Sequence, residues 1–304
     1  MYPRLSLWPR GLVLRVIMTG VWGLALVSIG AVGDAPRPEP QRLAVPAYWS
    51  PASGLAQFGR LARGGPAIVV VNGSRSAPEV PYDRAWADSF RTLRAAGSLP
   101  LGYVDTGYLG IDFGSGSLAT RADGPGGGRR TVADWVRQIE ADVDAWYALY
   151  AVAGLRGVFL DQTPAVCGPD SGYVDSYREI VERIRRAHPG AYVVMNPGRS
   201  VEQCYRSIAD TLVTFEGSYR DYLNRPAVAW EATVPAGTLW HLVYGAVDEA
   251  DMVHAIGLSK LRNAGYVYVT DASLPPDGHA HLWDAIPRDD YWRAEQNAVS
   301  SAAS

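Results

Sequence analysis

The chain has 304 residues, of which 28 are Lys or Arg and 31 Asp or Glu, for a formal net charge of −3. That balance offers no basic stripe for nucleic acid. Lys260 is the only lysine, and it lies in a helical pattern rather than at a strand end, which argues against Schiff-base and pyridoxal chemistry.

In chain order, Met1 to Arg15 carries arginines at 4, 10 and 15, and Val16 to Val32 is nearly uncharged. This reads as residues 1–33 forming a secretory signal peptide or an uncleaved membrane anchor, with an A-x-G cleavage site before Asp34. Residues 34–41 contain Pro36, Pro38 and Pro40 and read as a stiff linker. The expectation is a secreted or cell-surface protein. The folded part, 42–293, suits one large α/β domain, followed by a flexible tail at 294–304.

Eight short apolar runs follow: 43–48, 67–72, 99–106, 155–162, 191–198, 211–217, 238–245 and 265–271. Their apolarity is continuous rather than alternating, as strands covered on both faces require. The stretches between them carry helical stripes. Val132, Trp135, Val136, Ile139, Val143, Trp146, Tyr147 and Tyr150 recur at three and four, and Thr131 with Asp134 forms a capping box. Trp86, Phe90 and Leu93 repeat the pattern, as do Tyr177, Ile180, Val181 and Ile184. Eight strand–helix units in this length predict a single-domain (β/α)8 TIM barrel. An open doubly wound sheet would usually show a Gly-rich turn after its first strand, and "AYWSPASG" is not one.

In such a barrel the strands' C-terminal ends form the active face, so the polar residues that close each run are the candidates. They are Tyr48, Asn72, Asp105, Asp161 with Gln162, Asn196, Glu216, Tyr244 and Asp271. Asp161 after the fourth strand and Glu216 after the sixth would form the two carboxylates that glycosidic hydrolysis needs, one protonating the leaving oxygen and the other attacking or activating water. Two strands of separation, at about 4.8 Å per step, fit either the retaining or the inverting distance. Tyr48, Trp49, Tyr103, Tyr108, Tyr219, Tyr222 and Tyr244 lie at or just past strand ends and would stack on sugar faces. The substrate-binding candidates are therefore Tyr48, Asn72, Asp105, Tyr108, Gln162, Asn196, Tyr219, Tyr244 and Asp271.

Other chemistries lack their signatures: there is no G-x-S-x-G, Walker loop, G-x-G-x-x-G or H-E-x-x-H. The Gly-rich 123–130 follows no strand and reads as a lid or surface loop. Asp277, His279 and His281 give a weak metal signal, so no metal and no cofactor are expected. Cys167 and Cys204, in an exported chain, are candidates for one disulfide.

Six motifs in order, "VPAYWSP", "VVVNGS", "LGYVDTGY", "GVFLDQ", "VVMNPG" and "ADTLVTFEGSY", span most of Val45 to Tyr222. On these the chain resembles the spherulin-4 family of glycoside hydrolases. The resemblance implies a (β/α)8 fold, endo-acting cleavage of N-acetylgalactosamine- or galactosamine-containing biofilm exopolysaccharide, and Asp161 with Glu216 as catalytic pair. The family motif after the fourth strand commonly reads Asp-Glu, whereas here Asp161 is followed by Gln162, an amide that can hydrogen-bond a sugar but cannot ionise. The second strand ends in Asn72-Gly73 where relatives carry Asn-Pro. These departures keep open an alternative, a catalytically silent carbohydrate-binding protein; an exo-acting enzyme on a different sugar is a third reading. The expected partner is a polysaccharide, with no nucleic acid and no membrane beyond the N-terminal segment, bound by a monomer.

Overall fold

The computed structural model describes residues 40–72, 81–111, 131–274 and 282–301. The signal or anchor segment 1–33, residues 34–39 of the linker, the Gly-rich 123–130 and the residues Asp277, His279 and His281 lie outside the described residues. The chain divides into units 1–37 and 38–304, and the second is the subject below.

Eight strands close in chain order into one barrel: β1 (Arg42–Ala47), β2 (Ile68–Val71), β3 (Leu99–Asp105), β4 (Gly157–Asp161), β5 (Tyr192–Asn196), β6 (Thr211–Ser218), β7 (Leu239–Tyr244) and β8 (Tyr266–Thr270). Every neighbouring pair is parallel. The helices are α1 (Pro51–Gly64), α2 (Arg84–Ala95), α3 (Val132–Tyr150), α4 (Gly172–Ala187), α5 (Tyr219–Leu223), α6 (Glu249–Leu261) and α7 (Asp289–Ser300). The (β/α)8 expectation holds, with one difference. The β5–β6 connection carries only a 3-10 turn, Gln203–Tyr205, where a helix was expected. A disulfide between Cys167 and Cys204 and the buried Tyr205 tie this short connection down instead, so it needs no amphipathic stripe. The same disulfide joins the loops that follow β4 and β5.

The predicted stripes are the buried faces of their helices, except that in α3 Val132 is exposed and Val136 and Tyr147 are half-buried. Trp135, Ile139, Val143, Trp146 and Tyr150 cover the barrel from α3, which starts at the Thr131 and Asp134 capping box. Trp146 donates from Nε1 to the carbonyl of Tyr103 at 2.8 Å. That approach requires Gly102, where a Cβ would lie 2.5 Å from the indole ring.

Phe159 of β4 contacts Tyr103 of β3 at 6.1 Å and Trp240 of β7 at 5.7 Å between ring centroids. Strands β4 and β7 are not neighbours, so this contact crosses the barrel interior. Side chains alternate along a strand, so inward Phe159 makes Asp161, two residues on, face inward at the C-terminal mouth.

The expected tail from 294 is corrected. Residues 294–300 are the last turns of α7, because Tyr291, Trp292, Glu295 and Val299 form a buried stripe at helical spacing. Glu295 accepts a hydrogen bond from the Val269 amide at 2.8 Å. It does so beside the seam where β8 and β1 pair only through Arg42 with Tyr266 and Leu43 with Val267. Among the described residues no helix is long and apolar enough to cross a membrane.

Candidate active site

Asp161 closes β4 beside Asp105 of β3 and Asn196 of β5, which are its register partners on either side. Its Oδ2 accepts from the Tyr103 hydroxyl at 2.6 Å, and its Oδ1 accepts from Nδ2 of Asn196 at 2.7 Å. The backbone around it is held from the segment that follows β3. The Thr106 hydroxyl donates to the carbonyls of Asp161 and Gln162, and the Tyr108 amide donates to Gln162. Gln162 itself adopts a left-handed conformation, φ 56°, a costly choice for a side-chain-bearing residue. The chain therefore turns sharply at the residue after the acid, which leaves Asp161 as the last residue of the ladder, at its lip.

Glu216 reaches the same place from β6, where the register shifts between Val213 and Phe215. Its Oε2 accepts from the same Nδ2 of Asn196 at 2.7 Å, and its Oε1 accepts from Nε1 of Trp283 at 3.1 Å. The two oxygens that share the Asn196 nitrogen thus lie no farther apart than twice 2.7 Å.

The electrostatics follow from this enclosure. Burial raises the pKa of Asp161, the charge of Glu216 raises it further, and the Tyr103 hydrogen bond opposes both, leaving it at about 7. Burial also raises Glu216, against the hydrogen bonds from Asn196 and Trp283. Two half-buried carboxylates this close resist holding two negative charges, which holds a proton on the pair above the ordinary carboxylate range. Burial, then Asp161 and Glu216, push the Tyr48 phenol up as well, which keeps it a neutral hydrogen-bonding group.

Of the other candidates, the structure brings several to the pair. Tyr48 packs edge-on against Tyr103 at 5.3 Å. Asp105 is buried and accepts from the Gly107 amide at 2.8 Å. Tyr108, at φ 50°, feels the charges of Asp161 and Glu216, and Tyr244 feels those of Asp221 and Glu216. Tyr219 is turned elsewhere: its hydroxyl is bonded to Nδ1 of His254 on α6 at 2.8 Å. Asp271 faces Arg288 at 3.9 Å rather than the pair. Asn72 sits half-buried just past β2, and its buried Oδ1 accepts no hydrogen bond among the described residues. Of the wider aromatic set, Trp49 packs on Phe58, and Tyr222 is buried against His241, so neither forms a rim.

Trp283 is the residue that sequence reasoning missed. It follows β8 in a loop whose Trp283 carbonyl accepts from the Tyr48 amide at 3.0 Å, and this anchor aims the indole at Glu216. A tryptophan in a connection carries no periodic signal. Tyr103 was visible as a strand-end aromatic, but its hydroxyl serves Asp161 rather than open solvent. Among the described residues one cluster has metal-like spacing, Cys167, Glu202 and Cys204, and its two sulfurs are spent in the disulfide.

Comparison with known proteins follows the same outline. Spherulin-4 of Physarum polycephalum is 28% identical over 203 residues, which are 66% of this chain and 52% of that protein, so the match spans about half the relative's length. Sph3 of Aspergillus clavatus, solved in complex with GalNAc, superposes with a TM-score of 0.62 at 22% identity, covering 86% of this chain and 99% of that one. A β-mannanase from Alicyclobacillus acidocaldarius superposes with a TM-score of 0.53 at 11% identity, covering 85% and 98%. At such identities these two structures establish a common fold. A family model described as spherulation-specific family 4 matches residues 42–299, which takes in all eight strands and both acids, and the chain belongs to that family.

Proposed function

We propose that the protein is a glycoside hydrolase that cuts an amino-sugar polysaccharide outside the cell, with Asp161 and Glu216 as its catalytic carboxylates. The observation that carries this reading is the single Asn196 nitrogen spanning both acids. A limit of twice 2.7 Å between the bridged oxygens supports the closer, retaining arrangement of carboxyl groups, about 5–5.5 Å, over the inverting one at about 6.5–9.5 Å.

On this reading Asp161 attacks the anomeric carbon while the glycosidic C–O bond breaks and Glu216 gives its proton to the leaving oxygen. Glu216 then takes a proton from water, whose oxygen displaces Asp161. The growing positive charge at the sugar favours the ionised form of Asp161, which moves the shared proton toward Glu216 as the reaction starts. Tyr48, Tyr108 and Tyr244 would stack on the sugar, while Gln162 meets its hydroxyls. The GalNAc in the Aspergillus relative supports an amino sugar as the ligand class.

The test incubates the full chain with galactosamine-containing polymers, N-acetylated and free, and sizes the products. Oligosaccharides support internal cleavage, and monosaccharide alone would point to an exo-acting enzyme. Azide added to alanine variants assigns the roles: the nucleophile variant yields a glycosyl azide of inverted configuration, the acid variant one of retained configuration. Gln162, which cannot ionise, favours a second reading as a silent sugar-binding protein. Binding of the polymer with no turnover would establish that reading in place of the first.

A further inference from the structure

Asn196 was expected to orient the sugar, and its hydrogen bonds leave it little capacity to do so. Its Nδ2 carries two hydrogens, and both are used, one on Asp161 and one on Glu216, each at 2.7 Å. Its Oδ1 accepts from the Gly198 amide at 2.8 Å. The orientation of the amide is forced, since the flipped group would set an oxygen against two carboxylates and an NH2 against an N–H. Asn196 is also only 6% exposed. Its own strand position pairs it with Asp161, and the Gly198 carbonyl in turn accepts from the Glu216 amide at 2.9 Å, so one short segment of chain grips both acids.

We infer that Asn196 is a positioning residue, a neutral strut whose one amide group sets the spacing of Asp161 and Glu216 and holds the ionised carboxylate, rather than a residue that recognises the sugar. This rests on the hydrolase reading for its catalytic meaning but not for its test. An ammonium in the same place would also hold both acids, but it would stabilise two charges at once and strip the pair of its shared proton. The amide donates without adding charge, so it fixes geometry and leaves one proton available.

The experiment titrates the side-chain carboxyl carbons of Asp161 and Glu216 by NMR in the full chain, as wild type, Asn196→Ala and the isosteric Asn196→Asp, with thermal unfolding as the check on folding. Removing the donor should move the Glu216 midpoint upward by about 1 pH unit. In turnover, kcat should fall on the order of 10²-fold from misplacement while KM stays within about 3-fold. In Asn196→Asp part of that loss should return toward acid pH, where the new carboxyl regains a hydrogen to donate. Unmoved midpoints in a folded variant overturn the inference, as does a raised KM with kcat retained. If wild type cleaves no polymer, the hydrolase reading falls while the titration still decides the strut.

Discussion

Two pairs of charged side chains, one buried and one half-buried, are built on opposite principles. Arg225 and Glu231 are 8% and 2% exposed, and one guanidinium nitrogen donates to both carboxylate oxygens at 2.7 Å. At the barrel mouth, Asp161 and Glu216 bring two like charges together, and the groups bonded to them among the described residues, Tyr103, Asn196 and Trp283, are all neutral. The first pair cancels its charge inside the protein and holds the β6–β7 connection. The second cannot cancel, so its members keep a proton at pH values where a free carboxyl would have lost it. Opposite charges serve structure here, and on the proposed reading the pair of like charges would serve proton transfer.

The largest effect that follows is on turnover. Asp161→Asn or Glu216→Gln should lower hydrolysis on the order of 10³-fold or more, read as product formed per folded enzyme. Equal activity in either variant would remove the mouth pair from the comparison. Next comes stability at the other pair: Glu231→Ala strands a buried guanidinium and should cost about 3–5 kcal/mol in denaturant unfolding. A cost below about 1 kcal/mol would mean that Arg225 escapes to water.

The smallest effect has the opposite sign. Asp161 titrates near 7 when folded and near the ordinary carboxylate value when unfolded, so between those values the folded state binds the extra proton. Its contribution to stability is therefore full at acid pH and lost as pH rises through about 7. Asp161→Asn, whose amide can still accept from Asn196 and donate to the Tyr103 oxygen, should stabilise the fold by on the order of 1–2 kcal/mol at pH 8, with no gain near pH 4. A gain that is the same at both pH values would show that repacking, not charge, lies behind it.

The acids themselves were legible because each closes an apolar run, where a bare carboxylate is expensive unless it faces the mouth. Tyr219 misled for the same reason: it too follows a strand, but it opens α5, and helical geometry swings its ring toward His254. Trp283 left no trace in any pattern, since it reaches Glu216 only because the loop after β8 is pinned to β1. Asn196 was visible as a strand-end amide, but its partners depend on β4 and β6 lying on either side of β5.

By itself the order of residues determined the repeating alternation of doubly covered strands and striped helices, because hydrophobic burial acts on local periodicity. It also determined which side chains would stand at the strand ends. What only closure of the barrel decided was who meets whom: the pairing of Cys167 with Cys204, the distance between Asp161 and Glu216, and the sharing of one amide between them. Those contacts join residues that are remote in sequence, and hydrogen bonds discriminate over tenths of an ångström, a scale that only the packed backbone sets.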